Sequence, residues 1–170
     1  MTRVALLGAT GSIGRQALEV IEANSVANGG GLELVAATSG STPIDGLAPH
    51  TQVGGDPTEL LERSSPDLVL NATLGFAGLS ATMWALERGV TLALANKESL
   101  VAAGELAVSA RERGGGLLIP VDSEHSALFQ CAQLGEPESI VLTASGGPFR
   151  GRTRDQLMDV TAAEALAHPT

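Results

Sequence analysis

The sequence predicts an α/β fold: a doubly wound, mostly parallel sheet followed by the beginning of an α+β domain. Three observations predict it. A glycine triad, Gly8-x-x-Gly11-x-x-Gly14, lies between a short apolar run and a stretch of helical spacing. Apolar runs then alternate with amphipathic stretches as far as Val121, the pattern of strand–helix–strand crossovers. Aromatic residues are only 2% of the 170, with no Tyr, against 44% hydrophobic. The core must therefore be Val, Leu, Ile and Ala, as in strands buried on both faces.

Taken in order, Arg3-Val4-Ala5-Leu6-Leu7-Gly8 reads as a buried strand. Gly11 to Asn24 carries Ile13, Ala17, Leu18, Val20 and Ile21 on a helical repeat, stopped by Asn24 and the Asn28-Gly29-Gly30-Gly31 run. Leu32 to Ala37 is the second strand. Residues 39–57 hold Pro43, Pro49 and Pro57 with four Gly, which excludes a long helix. Pro57 to Arg63 fits a short helix with Asp56 as N-cap and Pro57 at the first helical position. Asp67 to Asn71 is a strand, Phe76 to Arg88 an amphipathic helix stopped by Gly89, and Thr91 to Ala95 a strand. Glu98 to Arg113 is a helix closed by Gly114-Gly115-Gly116, and Leu117 to Val121 a strand. Beyond Pro120 the texture changes. Glu124 to Gln133 reads as a helix, Ser139 to Thr143 as a strand, Ser145 to Phe149 as a loop, and 153–159 and 161–167 as short helical pieces. The expected domains are 1–120 and 121–170.

Charge and cysteine content narrow the function. The net charge of −9, with Arg150, Arg152 and Arg154 as the densest basic grouping, argues against nucleic acid as a partner. That trio, interleaved with Gly151 and Asp155, reads as a solvated loop. Cys131 is alone, so no internal disulfide forms and a reducing compartment fits best. The chain enters a strand at Arg3 without a leader pattern, and no apolar run nears the ~20 residues of a membrane span. A cytoplasmic location is expected, with no membrane partner.

Four constellations carry chemistry. In the first, glycines let the backbone turn sharply and approach a pyrophosphate, while the helix start offers free N–H groups. Thr10 and Ser12 add hydroxyls; the bland alternative is a turn that binds nothing. The second is the end of the second strand, Thr38-Ser39-Gly40-Ser41-Thr42. It lacks the carboxylate that an NAD site uses for the ribose hydroxyl, which favours NADP, although no Arg or Lys is there to anchor the phosphate. The third is Ala95-Asn96-Lys97-Glu98-Ser99, at the carboxyl end of a strand, where open α/β sheets bind ligands. It could also be a solvated capping loop. The fourth is Val121-Asp122-Ser123-Glu124-His125-Ser126. In extended chain, Asp122 and Glu124 put both carboxylates on one face, suiting Mg²⁺ or Mn²⁺, with His125 facing away. The alternative there is a helix N-cap at Asp122 or Ser123.

Together these segments closely resemble the 1-deoxy-D-xylulose 5-phosphate reductoisomerase family. The matching runs are Gly8 to Gly14, Leu94 to Leu100, Pro120 to Ser126 and Leu142 to Phe149, with His168-Pro169-Thr170 at the close. The resemblance implies NADPH-dependent isomerisation and reduction of a phosphorylated sugar, with one divalent metal: Mg²⁺, Mn²⁺ or Co²⁺. It implies that Thr10, Gly11, Ser12 and Ile13 hold the cofactor's pyrophosphate side, Gly40 lies near its 2′-phosphate, and Asn96 and Glu98 lie further along it. Asp122 and Glu124 would bind the metal. Lys97, Ser123 and Glu124 would meet the reacting end of the substrate, Lys97 and Glu124 catalytically, and Ser145 and His168 would lie toward its phosphate. The family is homodimeric.

Two departures from the family stand out. Residues 39–57 are short, so the helix after the second strand and the third strand are expected to be mostly missing, leaving strand two unprotected. The chain also stops at Thr170, before the family's substrate-covering loop, a third metal carboxylate and the C-terminal helical domain. A fragment that binds NADPH weakly and forms no detectable product is therefore expected. The alternatives are a non-catalytic NADP(H)-binding module, or another dinucleotide-binding oxidoreductase such as a semialdehyde or homoserine dehydrogenase.

Overall fold

The six apolar runs become strands of one sheet in the computed structural model, which describes residues 1–141 and 146–167. They are β1 (Thr2–Leu7), β2 (Leu32–Ser39), β3 (His50–Val53), β4 (Leu68–Asn71), β5 (Thr91–Leu94) and β6 (Leu118–Pro120). Their order is β3-β2-β1-β4-β5-β6 with every neighbouring pair parallel. This is the doubly wound, Rossmann-like arrangement that the strand–helix alternation predicts, with the order reversing between β1 and β4.

Alternation along β1 sends its side chains to two layers. Ala5 and Leu7 join Ala36, Val69, Leu92 and Leu94 on one face of the sheet. That face packs against α2 (Thr58–Ser64), α3 (Leu79–Glu87) and α4 (Glu98–Gly114) through Leu60, Leu61, Ala81, Trp84, Ala85, Leu86, Ala107 and Ala110. Leu6 and Ala37 face the other way, with Ala17 of α1 (Ser12–Ala23) and the loop residue Ile44. Arg3 ties the sheet to α2: its guanidinium donates to the Ser64 and Ser65 carbonyls at 2.6 and 2.7 Å, closing the helix's C-terminus with a cation.

The third strand corrects an expectation. The Pro- and Gly-rich segment does lack a helix between β2 and β3, yet His50–Val53 pairs with Ala36–Ser39 along the sheet edge. Four residues are enough because the β2 edge supplies their hydrogen-bond partners. Without a crossover helix, the layer beside α1 opens into a groove of roughly 680 Å³ lined by Leu18, Ile21, Val26, Leu32, Leu34 and Leu47.

Other boundaries move slightly. Residues Gly75–Gly78 form a 3₁₀ turn before α3, so Phe76 lies outside the helix and is exposed. The N-cap of α2 is Pro57 rather than Asp56, and Asp56 Oδ1 accepts from the Thr58 N–H at 2.9 Å one residue further out. Ser139 to Val141 are not in a strand, and the rest of that expected strand lies outside the described residues; its exposed Ile140 and Val141 have no neighbouring strand to complete their hydrogen bonds among the described residues.

The chain divides into two units, Met1–Leu134 and Gly135–Thr170. The first contains the sheet and ends with α5 (Ser123–Ala132). In the second, α6 (Ala162–Leu166) opens with a capping box between Thr161 and Glu164. Arg152 donates to Glu164 at 3.1 Å and stacks over Phe149. Among the described residues, no helix is long and apolar enough to cross a membrane.

Candidate cofactor and metal site

The three glycines of the first turn have different reasons to be glycine. Gly8 ends β1 with φ +81°, and a Cβ there would stand 2.6 Å from the Ala72 carbonyl oxygen. A Cβ on Gly14 would collide with the Gly8 carbonyl, so these two residues close the turn. Gly11 is otherwise: its backbone is extended (φ −72°, ψ 173°), and a Cβ would only touch Gly8 at 3.4 Å. Nothing in the chain demands glycine there. A bare Cα beside an open helix start is what close approach of a diphosphate requires.

Gly11 is the N-cap of α1 without a side-chain cap. Among the described residues, the amides of Thr10, Ser12, Ile13 and Gly14 have no hydrogen-bond partner, and Gly11, Ser12 and Ile13 are exposed. No acidic side chain occupies the first turn to compete for its positive end. The turn thus presents several donors toward one side of the sheet's carboxyl edge, a fit for the pyrophosphate of a dinucleotide.

At the end of β2 the hydroxyls divide. Thr38 Oγ1 accepts from the Gly8 N–H at 3.1 Å and Ser39 Oγ donates to the Thr42 carbonyl, so both brace the turn. Gly40, Ser41 and Thr42 are exposed, and no carboxylate is among them.

The sheet's opposite half is held by a buried polar chain that sequence reasoning missed. Asn71, fully buried at the end of β4, donates from Nδ2 to the Gly78 carbonyl (2.8 Å) and Thr82 Oγ1 (3.0 Å). Thr82 Oγ1 in turn donates to Ser99 Oγ at 3.2 Å, and Ser99 bonds to Asn96 Oδ1. Asn96 Nδ2 closes the circuit on the carbonyls of Thr73 (2.6 Å) and Gly75 (2.8 Å). Asn96 is 1% exposed, so its whole amide serves the chain and only its backbone is left to face a ligand. The circuit fixes the loop 72–76 against the glycine turn, where Leu74 and Phe76 project at 86% and 72% exposure. The available signal was polar residues at Asn71 and Thr82 inside otherwise apolar elements.

Lys97 and Asp122 meet because β5 and β6 are neighbours and each residue caps the helix that follows its strand. Lys97 Nζ lies 2.5 Å from Asp122 Oδ2. The bond and the charge of Asp122 raise the Lys97 pKa above its ordinary value, with Glu124 and Glu98 adding to it. Asp122 is held well below the usual carboxylate range, first by that Lys97 bond and then by His125.

Two readings of this segment are corrected. His125 does not face away: its Nδ1 lies 2.7 Å from Asp122 Oδ1, and its N–H points to the same oxygen at 3.4 Å. Nor are Asp122 and Glu124 in extended chain, because Asp122 is the N-cap of α5 and Glu124 lies in its first turn. Glu124 accepts instead from Ser123 Oγ at 2.8 Å. Two hard carboxylate oxygen donors suit Mg²⁺ or Mn²⁺, yet among the described residues no group of three or more His, Cys, Asp or Glu is arranged to hold a metal. Glu98 stands in the first turn of α4. Ser145 and His168 lie outside the described residues.

Residues 4–47 and 48–104 match the family described as 1-deoxy-D-xylulose 5-phosphate reductoisomerase, and 118–170 match its C-terminal domain. A reductoisomerase of Leifsonia xyli is 50% identical over 99% of this chain and 48% of its own length. One of Rhodococcus jostii is 48% identical over the same shares. The chain spans about half the length of the curated relatives it matches. Among solved structures, the Zymomonas mobilis reductoisomerase in complex with NADPH is 34% identical, with a TM-score of 0.75 over 97% of this chain and 51% of that one. A reductoisomerase in complex with NADPH, fosmidomycin and magnesium superposes with a TM-score of 0.77 over 99% and 51% at 29% identity. A homoserine dehydrogenase from Archaeoglobus fulgidus, 22% identical with a TM-score of 0.55, shares the fold.

Proposed function

The chain belongs to the 1-deoxy-D-xylulose 5-phosphate reductoisomerase family, and from that membership we propose that it binds NADPH and contributes to the family's reaction. That reaction is the divalent-metal-dependent isomerisation and reduction of 1-deoxy-D-xylulose 5-phosphate to 2-C-methyl-D-erythritol 4-phosphate in non-mevalonate isoprenoid biosynthesis. The observation that carries the reading is the bare Gly11 beside the unpaired amides of α1. Relatives crystallised with NADPH, and with NADPH, fosmidomycin and magnesium, support it.

In this reading residues 1–120 serve the cofactor and 121–170 open the metal- and substrate-binding part. Thr10, Gly11, Ser12 and Ile13 take the pyrophosphate, and Gly40, open and free of carboxylates, takes the 2′-phosphate side. Glu98, and Asn96 through its backbone, border the cofactor further along. Asp122 and Glu124 hold Mg²⁺, Mn²⁺ or Co²⁺, which when bound supplies a Lewis acid that polarises the substrate carbonyl. Lys97 sets an ammonium where negative charge develops, next to Ser123 and Glu124. Ser145 and His168 serve the substrate's phosphate end. The protein works in the cytoplasm as a homodimer on a small phosphorylated sugar, without nucleic acid; its lone Cys131 fits a reducing compartment.

Fluorescence titration tests the cofactor assignment. Saturable NADPH binding, tighter than NADH binding, is expected; no saturable binding overturns the assignment. A non-catalytic cofactor module is the second reading, favoured by the absence of a three-ligand cluster among the described residues. Calorimetric titration of Mn²⁺ separates the two, since only the first reading has Asp122 and Glu124 bind the metal.

A further inference from the structure

Lys97 is the sole lysine in a chain whose other nine cationic side chains are all arginine. It sits on the carboxylate assigned above to the metal. Asp122 is 13% exposed, and both its oxygens are engaged: Oδ2 by Lys97 Nζ at 2.5 Å and Oδ1 by His125 Nδ1 at 2.7 Å. A carboxylate so enclosed is costly without a positive partner. The Lys97 pair supplies one, but it takes the oxygen a divalent cation would need. Sharing that oxygen would hold an ammonium and a dication close together, where they repel, so exchange is favoured over sharing.

The residue type suits exchange. A guanidinium grips a carboxylate bidentately with a planar fork, whereas an ammonium is a compact point charge on a flexible stem. Lys97 is 55% exposed, so its stem has room to swing. Glu124 and Glu98 both act on it electrostatically, so a released ammonium stays within the same acidic neighbourhood.

We propose that Lys97 and a divalent cation compete for Asp122 Oδ2, so that metal binding expels the Lys97 ammonium from this carboxylate and frees it for the substrate. This rests on the reading of Asp122 as a metal ligand. The exchange is a swap of cations: Lys97 leaves as an ammonium, no proton moves, and the carboxylate keeps a positive partner throughout. It makes the site deliver its substrate-facing charge only once the Lewis acid is in place.

A single lysine makes the swap directly observable. With lysine labelled in its side chain, the protein gives one lysine side-chain NMR signal, which is followed as Mg²⁺ is added while calorimetry measures binding in parallel. Saturating Mg²⁺ should move the Lys97 signal in the wild type to the position that Asp122→Asn shows without Mg²⁺, and should leave the variant's signal in place. Lys97→Met should tighten Mg²⁺ binding by about two- to fivefold, as loss of a partly exposed ion pair allows, and Lys97→Arg should not. If Mg²⁺ binds and Asp122→Asn weakens it, but the Lys97 signal stays put, the exchange is wrong and the metal assignment stands. If Mg²⁺ does not bind, or binds equally to Asp122→Asn, the metal assignment falls and the exchange with it.

Discussion

Gly14 rests on Gly8 so closely that a Cβ on the first would overlap the carbonyl oxygen of the second, pinning the start of α1 to the end of β1. Both atoms are backbone, so neither can rotate away. Gly14→Ala should therefore lower stability by about 3 kcal/mol, in the range of overpacked cores, and the melting temperature by roughly 6–12 °C. Thermal unfolding followed by circular dichroism measures this; a fall of under about 2 °C would mean the turn relaxes easily.

The buried circuit through Asn71, Thr82, Ser99 and Asn96 makes a second expectation. Asn96→Ala removes both tethers on the Thr73 and Gly75 carbonyls and leaves the Ser99 hydroxyl without the acceptor of its proton. The expected cost is about 2–3 kcal/mol, the price of buried polar groups left unpaired. Hydrogen exchange should rise across residues 72–78 before it rises in β1. Uniform exchange throughout the sheet would show that the circuit does not act locally.

Trp84 reports its own pH dependence. Its indole N–H donates to Glu62 Oε1 at 2.9 Å, and Arg88 also pairs with that carboxylate. The Trp84 bond, followed by the charge of Arg88, lowers the Glu62 pKa below 4.5. With a depressed folded-state value, the contribution is complete above the ordinary pKa and is lost as pH falls through the folded one. Emission from this single tryptophan should titrate below pH 4.5, and Glu62→Gln should abolish the step.

Arg3 closes α2 from another part of the chain through the Ser64 and Ser65 carbonyls. Arg3→Ala should cost about 1 kcal/mol, the size of a cation's effect at a helix C-terminus. Chemical denaturation should show a lower midpoint with an unchanged slope; a changed slope would mean the native sheet itself has loosened.

What the sequence made legible was whatever depends on local pattern. The apolar runs at Arg3–Gly8, Leu32–Ala37 and Thr91–Ala95 fell within a residue or two of β1, β2 and β5, and the glycine triad lies where its spacing put it. β3 escaped because His50-Thr51-Gln52-Val53 has little apolar character and is stabilised by the edge of β2, a partner outside any sequence window. His125 was misdirected by an extended-chain rule applied to residues where a helix begins; in a first turn, residue i+3 folds back on the cap. Asn96 was read as a ligand contact from its place at a strand end. Its side chain is held by carbonyls more than twenty residues earlier, a partnership no local window contains.

The central claim, that the bare start of α1 receives the phosphates of NADPH, turns on Gly11. Its extended backbone accepts any residue, and a Cβ there meets nothing closer than 3.4 Å. Calorimetric titration of NADPH into the wild type and Gly11→Val is the most direct test, with the melting temperature of each recorded alongside. The account predicts a variant that stays folded, its stability within about 1 kcal/mol, and whose NADPH affinity falls by roughly tenfold or more. A folded Gly11→Val that binds NADPH as tightly as the wild type would contradict it.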